Sequence, residues 1–435
     1  MKRKVLTGFF ISFCLVMQAQ FWTETYSGFT NSLTGLSKFH VVDANIAWAV
    51  AYDGFNTANN IQRFSKTDDA GLTWTAGVFD LGDTNLGIAD VSGVDSNTAY
   101  VAAYPRQAAQ LGGIWKTIDA GVTWVKQTGA SFNNAASFPN IVHYFDANSG
   151  IAIGDPANGY WEIYTTNNGG ATYTRVPSSS LPVPLNGEFG YLAQFAYSGD
   201  SIWFTTSIGR ILHSTNRGVT WNVYQSPLSD FGGTTIFGDI SFATVNRGVI
   251  QDNSGNIYKT TDAGQTWNNV VFTGTGSPYG GAISYLPNTF HMVSAGGDVN
   301  FAGSSYSLDD GVTWTNIDTE QHVDCVFFND TVGYSGSFSD AATNSGVFRY
   351  TDIVLSEVLM DQASDVILFH NDQLDQLEIH TDLEFKNVTI YDLHGRIVSS
   401  ATFNKKVDTN QLKSGVYIAQ VLTELGFVTN RFLKQ

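Results

Sequence analysis

The 435-residue chain is poor in cysteine, with two, and poor in positive charge, with 22 Lys and Arg against 39 Asp and Glu. It also lacks any apolar run long enough to cross a membrane as a helix. Each shortage excludes something. Cys14 lies in an N-terminal segment read below as removable, so Cys325 is left alone and no intramolecular disulfide is expected. Cys325 sits in the strand-like run Val323 to Phe328 and reads as a structural thiol. No Cys/His cluster has zinc spacing, no glycine-rich loop follows a βα pattern, and no serine-centred elbow is present. No metal or other cofactor is expected, although the acidity leaves room for loosely held calcium. A formal charge of −17 opposes nucleic acid and anionic membranes.

What the chain has in quantity is glycine and aromatics: 43 Gly, 10 Trp, 19 Tyr and 30 Phe. Glycine-bearing turns between aromatic runs point to many short strands. The N-terminus reads as a secretory signal over residues 1–19. Lys2, Arg3 and Lys4 precede a largely apolar run from Val5 to Met17, and Ala19 offers a small residue for cleavage. Cys14 lies between Phe13 and Leu15, which is not a lipid-acceptor setting.

Six segments share one pattern, beginning with Thr67-Asp68-Asp69-Ala70-Gly71-Leu72-Thr73-Trp74. The others run from Thr117 to Trp124, Thr166 to Tyr173, Ser214 to Trp221, Thr260 to Trp267 and Ser307 to Trp314. Successive key glycines, Gly71, Gly121, Gly170, Gly218, Gly264 and Gly311, are 50, 49, 48, 46 and 47 residues apart. A period of this size marks a propeller or a solenoid. Asp69, Asp119, Asn168, Asn216, Asp262 and Asp309 are expected to close tight turns through their side-chain oxygens. Trp74, Trp124, Tyr173, Trp221, Trp267 and Trp314 are expected to pack between neighbouring sheets. Upstream of the boxes, seven segments such as Val42 to Val50 and Val94 to Ala102 read as two strands joined by a polar turn.

Seven such hairpins and six boxes leave one blade short. Gly346-Val347-Phe348-Arg349-Tyr350 matches the strand before a box, and Phe21-Trp22-Thr23-Glu24 matches the strand after one. The expected fold is therefore all-β: a seven-bladed β-propeller over residues 20–352, its last blade closed by the N-terminal strand, followed by a small C-terminal β-sandwich over 353–435. Closure of this kind protects sheet edges.

The boxes resemble the bacterial neuraminidase-type Asp-box repeat of sialidases, sortilin-type receptors, xyloglucan hydrolases and the photosystem II assembly factor group. Gly154-Asp155-Pro156 and Gly187-Glu188-Phe189 are similar to secreted relatives of the assembly factors. The repeat is shared by binders and enzymes, so it implies fold more than function. A sialidase would have six blades and three clamping arginines, and Arg217 is already inside a box turn. A two-domain xyloglucan hydrolase would need a second propeller.

The C-terminal segment resembles the sorting domain of type IX secretion cargo. The matching residues are Tyr391, Asp392, Gly395 and Arg396, then Gly415 and Tyr417 in Leu-x-x-Gly-Val-Tyr, and the near-terminal Lys434. The usual Asn-Pro near the start is replaced by Asn371-Asp372. His394 and Arg396 read as a turn and a surface charge. The resemblance implies passage through the general and type IX secretion machineries to the exterior or outer surface of a Gram-negative bacterium, without stable membrane insertion.

The Asp-box turns share one face of the ring, and longer, more varied loops occupy the other. Those loops carry Arg106, Asp155, Glu188, Asp230 and Asp298, with Tyr104, Tyr160 and Phe189 nearby. Aromatics beside carboxylates suit sugar stacking and hydroxyl bonding. Ligand-binding candidates are Arg106, Tyr104, Tyr160, His143 and Asp230, with His143 placed near an inner strand. Asp155 and Glu188 are the carboxylate pair for a glycoside hydrolase, which needs a separation of about 5–5.5 or 6.5–9.5 Å. Two functions fit: an exported binding module, with a glycan or a cell-surface protein as ligand, or a glycan-active hydrolase or lyase. A chaperone-like assembly role fits less well with export.

Overall fold

The computed structural model describes residues 20–56, 59–298, 301–340, 345–352, 354–355, 367–371, 374–380, 385–392, 396–402, 405–423 and 426–434. The expected signal segment 1–19, with Cys14, and the sorting residue Gly395 lie outside these described residues. The chain divides into two compact units after Asp352.

The first unit holds seven four-stranded antiparallel sheets. The inner strands of blades 1 to 7 are Thr34–Val41, Gly87–Gly93, Pro139–Tyr144, Gly190–Ser198, Gly238–Phe242, Ala282–Tyr285 and Cys325–Phe327. Six blades run inner to outer in chain order. In blade 7 the order is Cys325–Phe327, Gly333–Gly336, Gly346–Tyr350 and then Trp22–Tyr26. The outer strand is thus supplied by the N-terminus, with Trp22 opposite Tyr350 and Tyr26 opposite Gly346.

The boxes are built by the chemistry of their side chains. In the first, the Gly71 amide donates to Thr67 Oγ1 (2.9 Å) and the Thr73 amide to Asp69 Oδ1 (2.8 Å). The Thr67 and Thr73 hydroxyls donate to Asp69 Oδ1 and Oδ2 (2.9 and 2.6 Å). Boxes two and five repeat the set around Asp119 and Asp262. Asn168 and Asn216 substitute because an amide keeps the acceptor, while its Nδ2 donates to the Thr172 or Thr220 hydroxyl (2.8 and 2.9 Å). The turn needs two consecutive residues at positive φ. Gly71 and Gly121 are the second of each pair, and Ala70 and Ala120 precede them at φ 61° and 63°. The glycine alone does not meet the requirement; alanine tolerates the strain because the turn fixes it from both sides.

The box tryptophans pack between blades. Trp124 meets Phe64 and Phe79 of blade 1 edge-on, at 6.0 and 5.0 Å. Trp74 meets Tyr334 of blade 7 at 5.3 Å. Each core cluster joins adjacent blades, such as Trp48, Val91, Val101 and Trp115 for blades 1 and 2. The closing strand is anchored in the same way. Trp22 is 2% exposed, its indole N–H donates to Ser304 Oγ of blade 6 (3.0 Å), and Phe21 stacks on Tyr306. Cys325 is a free, buried thiol against the Val293 carbonyl (3.5 Å).

Side chains also link inner strands around the channel. The Val142 and Tyr144 amides of blade 3 donate to Asp90 Oδ2 (3.1 Å) and Ser92 Oγ (2.9 Å) of blade 2. The Ile283 and Tyr285 amides of blade 6 donate to Asp239 Oδ2 and Ser241 Oγ of blade 5, both at 2.9 Å. Asp324 Oδ2 accepts from the Lys38 amide (2.7 Å), joining blade 7 to blade 1. Lys38 Nζ reaches the Ala89 carbonyl of blade 2 (2.9 Å), and Gln194 Nε2 reaches the Gly238 carbonyl of blade 5 (2.6 Å).

The second unit is two facing sheets. One orders Ile367–Asn371, Gln376–His380 and Lys406–Asp408. The other orders Ile397–Thr402, Phe385–Tyr391, Gly415–Thr423 and Gly426–Lys434. Leu377, Ile379, Val388, Ile390, Ala419, Val421 and Phe432 form its core. Asp392 closes a turn by accepting from the Arg396 amide (3.0 Å) and Nε (2.8 Å). The Tyr417 hydroxyl donates to the Lys413 carbonyl (2.9 Å) and that of Tyr391 to Gln420 (3.3 Å). Lys434 is buried, donating to the Thr409 carbonyl (2.6 Å) and paired with Asp375 (3.0 Å). Its charge therefore holds the last strand down.

Two tests follow from this bonding. Trp22→Ala is expected to destabilise the propeller by about 3–5 kcal/mol, the usual range for a buried indole. Leu72→Ala, on an exposed box residue, is expected to stay within about 0.5 kcal/mol in the same urea titration. Burial raises Asp239 to about 7, against the partial relief of its amide partners. The native state then holds this proton between about pH 4 and 7 where the unfolded chain has lost it. Its contribution to stability is full at acid pH and is lost as pH rises through 7. Wild type is therefore expected to gain about 1 kcal/mol relative to Asp239→Asn on going from pH 8 to pH 6. A constant difference across that range would refute the assignment.

Candidate functional site

Antiparallel blades place the box turns at one end and the loops between second and third strands, with the blade-to-blade connections, at the other. On that second face Asp155 and Glu188 lie at the junction of blades 3 and 4. Asp155 lies at the end of the second strand of blade 3, Gly150–Ala157, where the register shifts between Gly154 and Pro156. That irregularity turns its carboxylate toward the connection to blade 4. Asp155 Oδ1 accepts from Asn140 Nδ2 (2.7 Å) and from the Gly190 amide (2.9 Å). Burial raises its pKa to about 6, with those two donors opposing the rise.

Glu188 lies two residues before Gly190 and is held by blade 4. Its side chain is fully buried and forms a fork with Arg210: Nε donates to Oε1 (2.9 Å) and an Nη to Oε2. The Leu185 amide also donates to Oε2 (2.8 Å), and Arg210 reaches the Val183 carbonyl (3.0 Å). This one ion pair therefore fixes the loop from Val183 to Glu188. Arg210 was not singled out by sequence reasoning. It begins the third strand of blade 4, Arg210–Ser214, and nothing local in the sequence signals its pairing with Glu188.

The remaining candidates are dispersed. Asp230 accepts from the Tyr191 hydroxyl (2.6 Å) and the Gly232 amide (3.1 Å) in the connection to blade 5. Tyr104 packs against Phe138 at 4.9 Å, and Tyr160 lies under the Arg175 guanidinium at 4.2 Å. Arg106 is exposed in its loop, its amide bonded to Gln110. His143 is not on this face. It sits on the inner strand of blade 3, 1% exposed, against His40 and Tyr197. Asp155 and Glu188 thus meet through the 188–190 segment, whereas His143 belongs to the channel. Glu162, also missed, is buried in blade 3 and accepts from the Tyr164 hydroxyl (2.9 Å).

Exposed aromatics concentrate on the loop-rich face: Phe55 (83%), Phe301 (72%), Phe189 and Phe237. The box face exposes mainly single aliphatics, such as Leu72, Val122, Val219 and Val312. Among the described residues, no group of three or more His, Cys, Asp or Glu side chains could hold a metal ion, and no helix is long and apolar enough to cross a membrane.

Residues 369–435 match the secretion system C-terminal sorting domain. The propeller resembles two solved structures. "YCF48 bound to D1 peptide" is 17% identical, covering 76% of this chain and 97% of that one at a TM-score of 0.52. YCF48 from Cyanidioschyzon merolae is 15% identical, covering 76% and 99%, also at 0.52. At these identities the likeness is one of fold. No curated protein matches the chain.

Removing one partner of the Glu188–Arg210 pair leaves a buried charge without its counterpart. Arg210→Ala is expected to cost about 3–5 kcal/mol. The double variant Glu188→Gln/Arg210→Met is expected to recover at least half of that loss in chemical denaturation. Equal losses in the single and double variants would show that packing, not charge, holds the loop.

Proposed function

We propose that the protein is an exported binding module whose loop-rich propeller face takes up a glycan. The observation that carries this is the set of exposed aromatic side chains on that face, Phe55, Phe189, Phe237 and Phe301; the carboxylates Asp155, Glu188 and Asp230 of the same face are already held by the protein's own donors. Flat apolar rings stack on the C–H faces of sugars, and the neighbouring polar groups bond hydroxyls. Glu188, engaged by a guanidinium and an amide, is a loop brace in this reading. The sorting domain supplies the route, through type IX secretion to the exterior or outer surface of a Bacteroidetes-type cell. The propeller is then the part that meets the surroundings.

One observation favours a second reading. Asp155, raised to about 6, has the acidity of a general acid working near neutral pH. A glycan-active enzyme would use it with Glu188 across the blade 3–4 junction. YCF48, of like fold, was solved with a D1 peptide, so peptides join glycans as ligands to test.

The discriminating experiment is a glycan array, a peptide array and a polysaccharide-degradation screen of the purified protein. Binding to a glycan without released products, reduced at least tenfold in Phe55→Ser/Phe237→Ser, is the expected result. Released oligosaccharides that vanish in Asp155→Asn would establish the enzyme instead. Binding confined to peptides would remove the glycan from the proposal.

A further inference from the structure

The channel holds chemistry that the loop-rich face does not use. Two voids of about 370 and 390 Å³ lie against the inner strands and share His40, Val41, Tyr197 and Phe328 along their walls. The first is lined by Lys38, Asp90, Asp239 and Asp324. The second is lined by His143, Phe145 and Asp146. Between them stands a belt of rings. His40 stacks on His143 at 5.6 Å, Tyr197 lies 4.2 Å from His143, and Phe195 meets His143 edge-on at 5.6 Å.

Three features of this channel point the same way. Asp90, Asp239 and Asp324 each accept backbone amides, but a carboxylate has about four acceptor positions, so capacity remains. Against these three acids the first void offers one cationic side chain, Lys38, whose ammonium is spent on the Ala89 carbonyl and two of the acids. The wall is therefore short of positive charge. Second, His143 is 1% exposed, and neither ring nitrogen has a hydrogen-bond partner among the described residues. A buried polar group left in that state favours a ligand that bonds it. Third, ring faces beside carboxylates form the surroundings that attract an organic cation.

We propose that the central channel binds a small organic amine, its ammonium among Asp90, Asp239 and Asp324 and its body against the rings of His40, His143 and Tyr197. Among the described residues no group of three or more such side chains could hold a metal ion, whereas an ammonium needs only one or two of these carboxylates and brings a body to meet the rings. A neutral polyol would leave the excess of carboxylate uncompensated. An anion would add to it. The site is separate from the loop-rich face and stands whatever that face binds.

The acids that would hold the amine are the same ones that burial makes reluctant to ionise. Asp90 and Asp239 are raised to about 7 and Asp324 to about 6. Lys38 is lowered by the same burial; His40, lowered to about 4, and His143, lowered further, remain neutral at physiological pH. An ammonium group favours the ionised carboxylates, so its uptake releases protons, and acid competes with it.

The test uses the full chain and benzylamine, with benzyl alcohol as a neutral isostere, followed by titration calorimetry. At pH 8 benzylamine is expected to bind with a Kd of about 1 mM or tighter. It should bind at least tenfold more tightly than benzyl alcohol and lose at least tenfold in affinity at pH 5. Asp239→Asn should weaken it about tenfold. Because that change also touches a blade tie, Tyr197→Ala serves as a second variant that leaves every tie in place, and should weaken it at least fivefold. The proposal is overturned by no benzylamine binding, by equal affinity for amine and alcohol, by an affinity indifferent to pH, or by full displacement with millimolar calcium chloride.

Discussion

A ring of blades leaves seven inner strands as sheet edges, and the satisfaction of those edges governs the rest of this structure. An inner strand pairs on one side only, so amides on its other side face the channel and the next blade. The blades diverge too much for backbone pairing between them, and short polar side chains bridge the gap. Asp90 with Ser92, and Asp239 with Ser241, take alternate amides of the next inner strand, which is the spacing a period-two strand dictates. Asp324 does the same across the junction that joins the last blade to the first. Carboxylates are therefore buried in the channel for a structural reason, and the excess negative charge there is a consequence of closing the ring.

The Asp boxes solve the complementary problem at the outer edge of each blade. They hold the third and fourth strands together through a turn with two left-handed residues in succession, and the carboxylate binds both sides of the turn. Their acids are only partly buried and held below the usual range by hydroxyl and amide donors in the second box, with Asp69 and Asp262 shifted the same way. Inner acids are shifted up and box acids down. The sign is set by burial, since both kinds accept backbone amides. The Asn168 and Asn216 boxes show that the turn needs the oxygen and not the charge.

The blade count, the closing strand at Trp22 and the role of the boxes could all be read from the sequence, because they depend on a repeated pattern and on its one interruption. The Asp-x-Ser pattern of Asp90-Val91-Ser92 and Asp239-Ile240-Ser241 was equally visible but lacks a period, occurring in two blades of seven. The Glu188–Arg210 brace was not legible. Its partners are 22 residues apart with two strands between them, and nothing local to Arg210 distinguishes it from a solvated arginine. The rings that enclose His143 come from three different blades. Contacts of that kind depend on which inner strands face each other across the ring, information the sequence holds only through the completed fold.

This division of labour locates function by subtraction. Box acids close turns, inner acids close the ring, and Glu188 fixes a loop, so few carboxylates on the propeller are without a structural task. The groups left over include aromatic rings exposed on the loop-rich face and the channel's rings, with the imidazole of His143 unpartnered among the described residues. A ring supplies contact area for recognition, whereas a hydrolase needs two carboxylates free to exchange protons. The channel adds a coupling that the outer face lacks. Its acids both tie neighbouring blades and carry the charge a cation would meet, so ionisation at Asp90, Asp239 or Asp324 alters the strength of the same bonds that hold the ring together. A ligand bound there is thermodynamically linked to the closure of the propeller, whereas one bound to the outer loops is not.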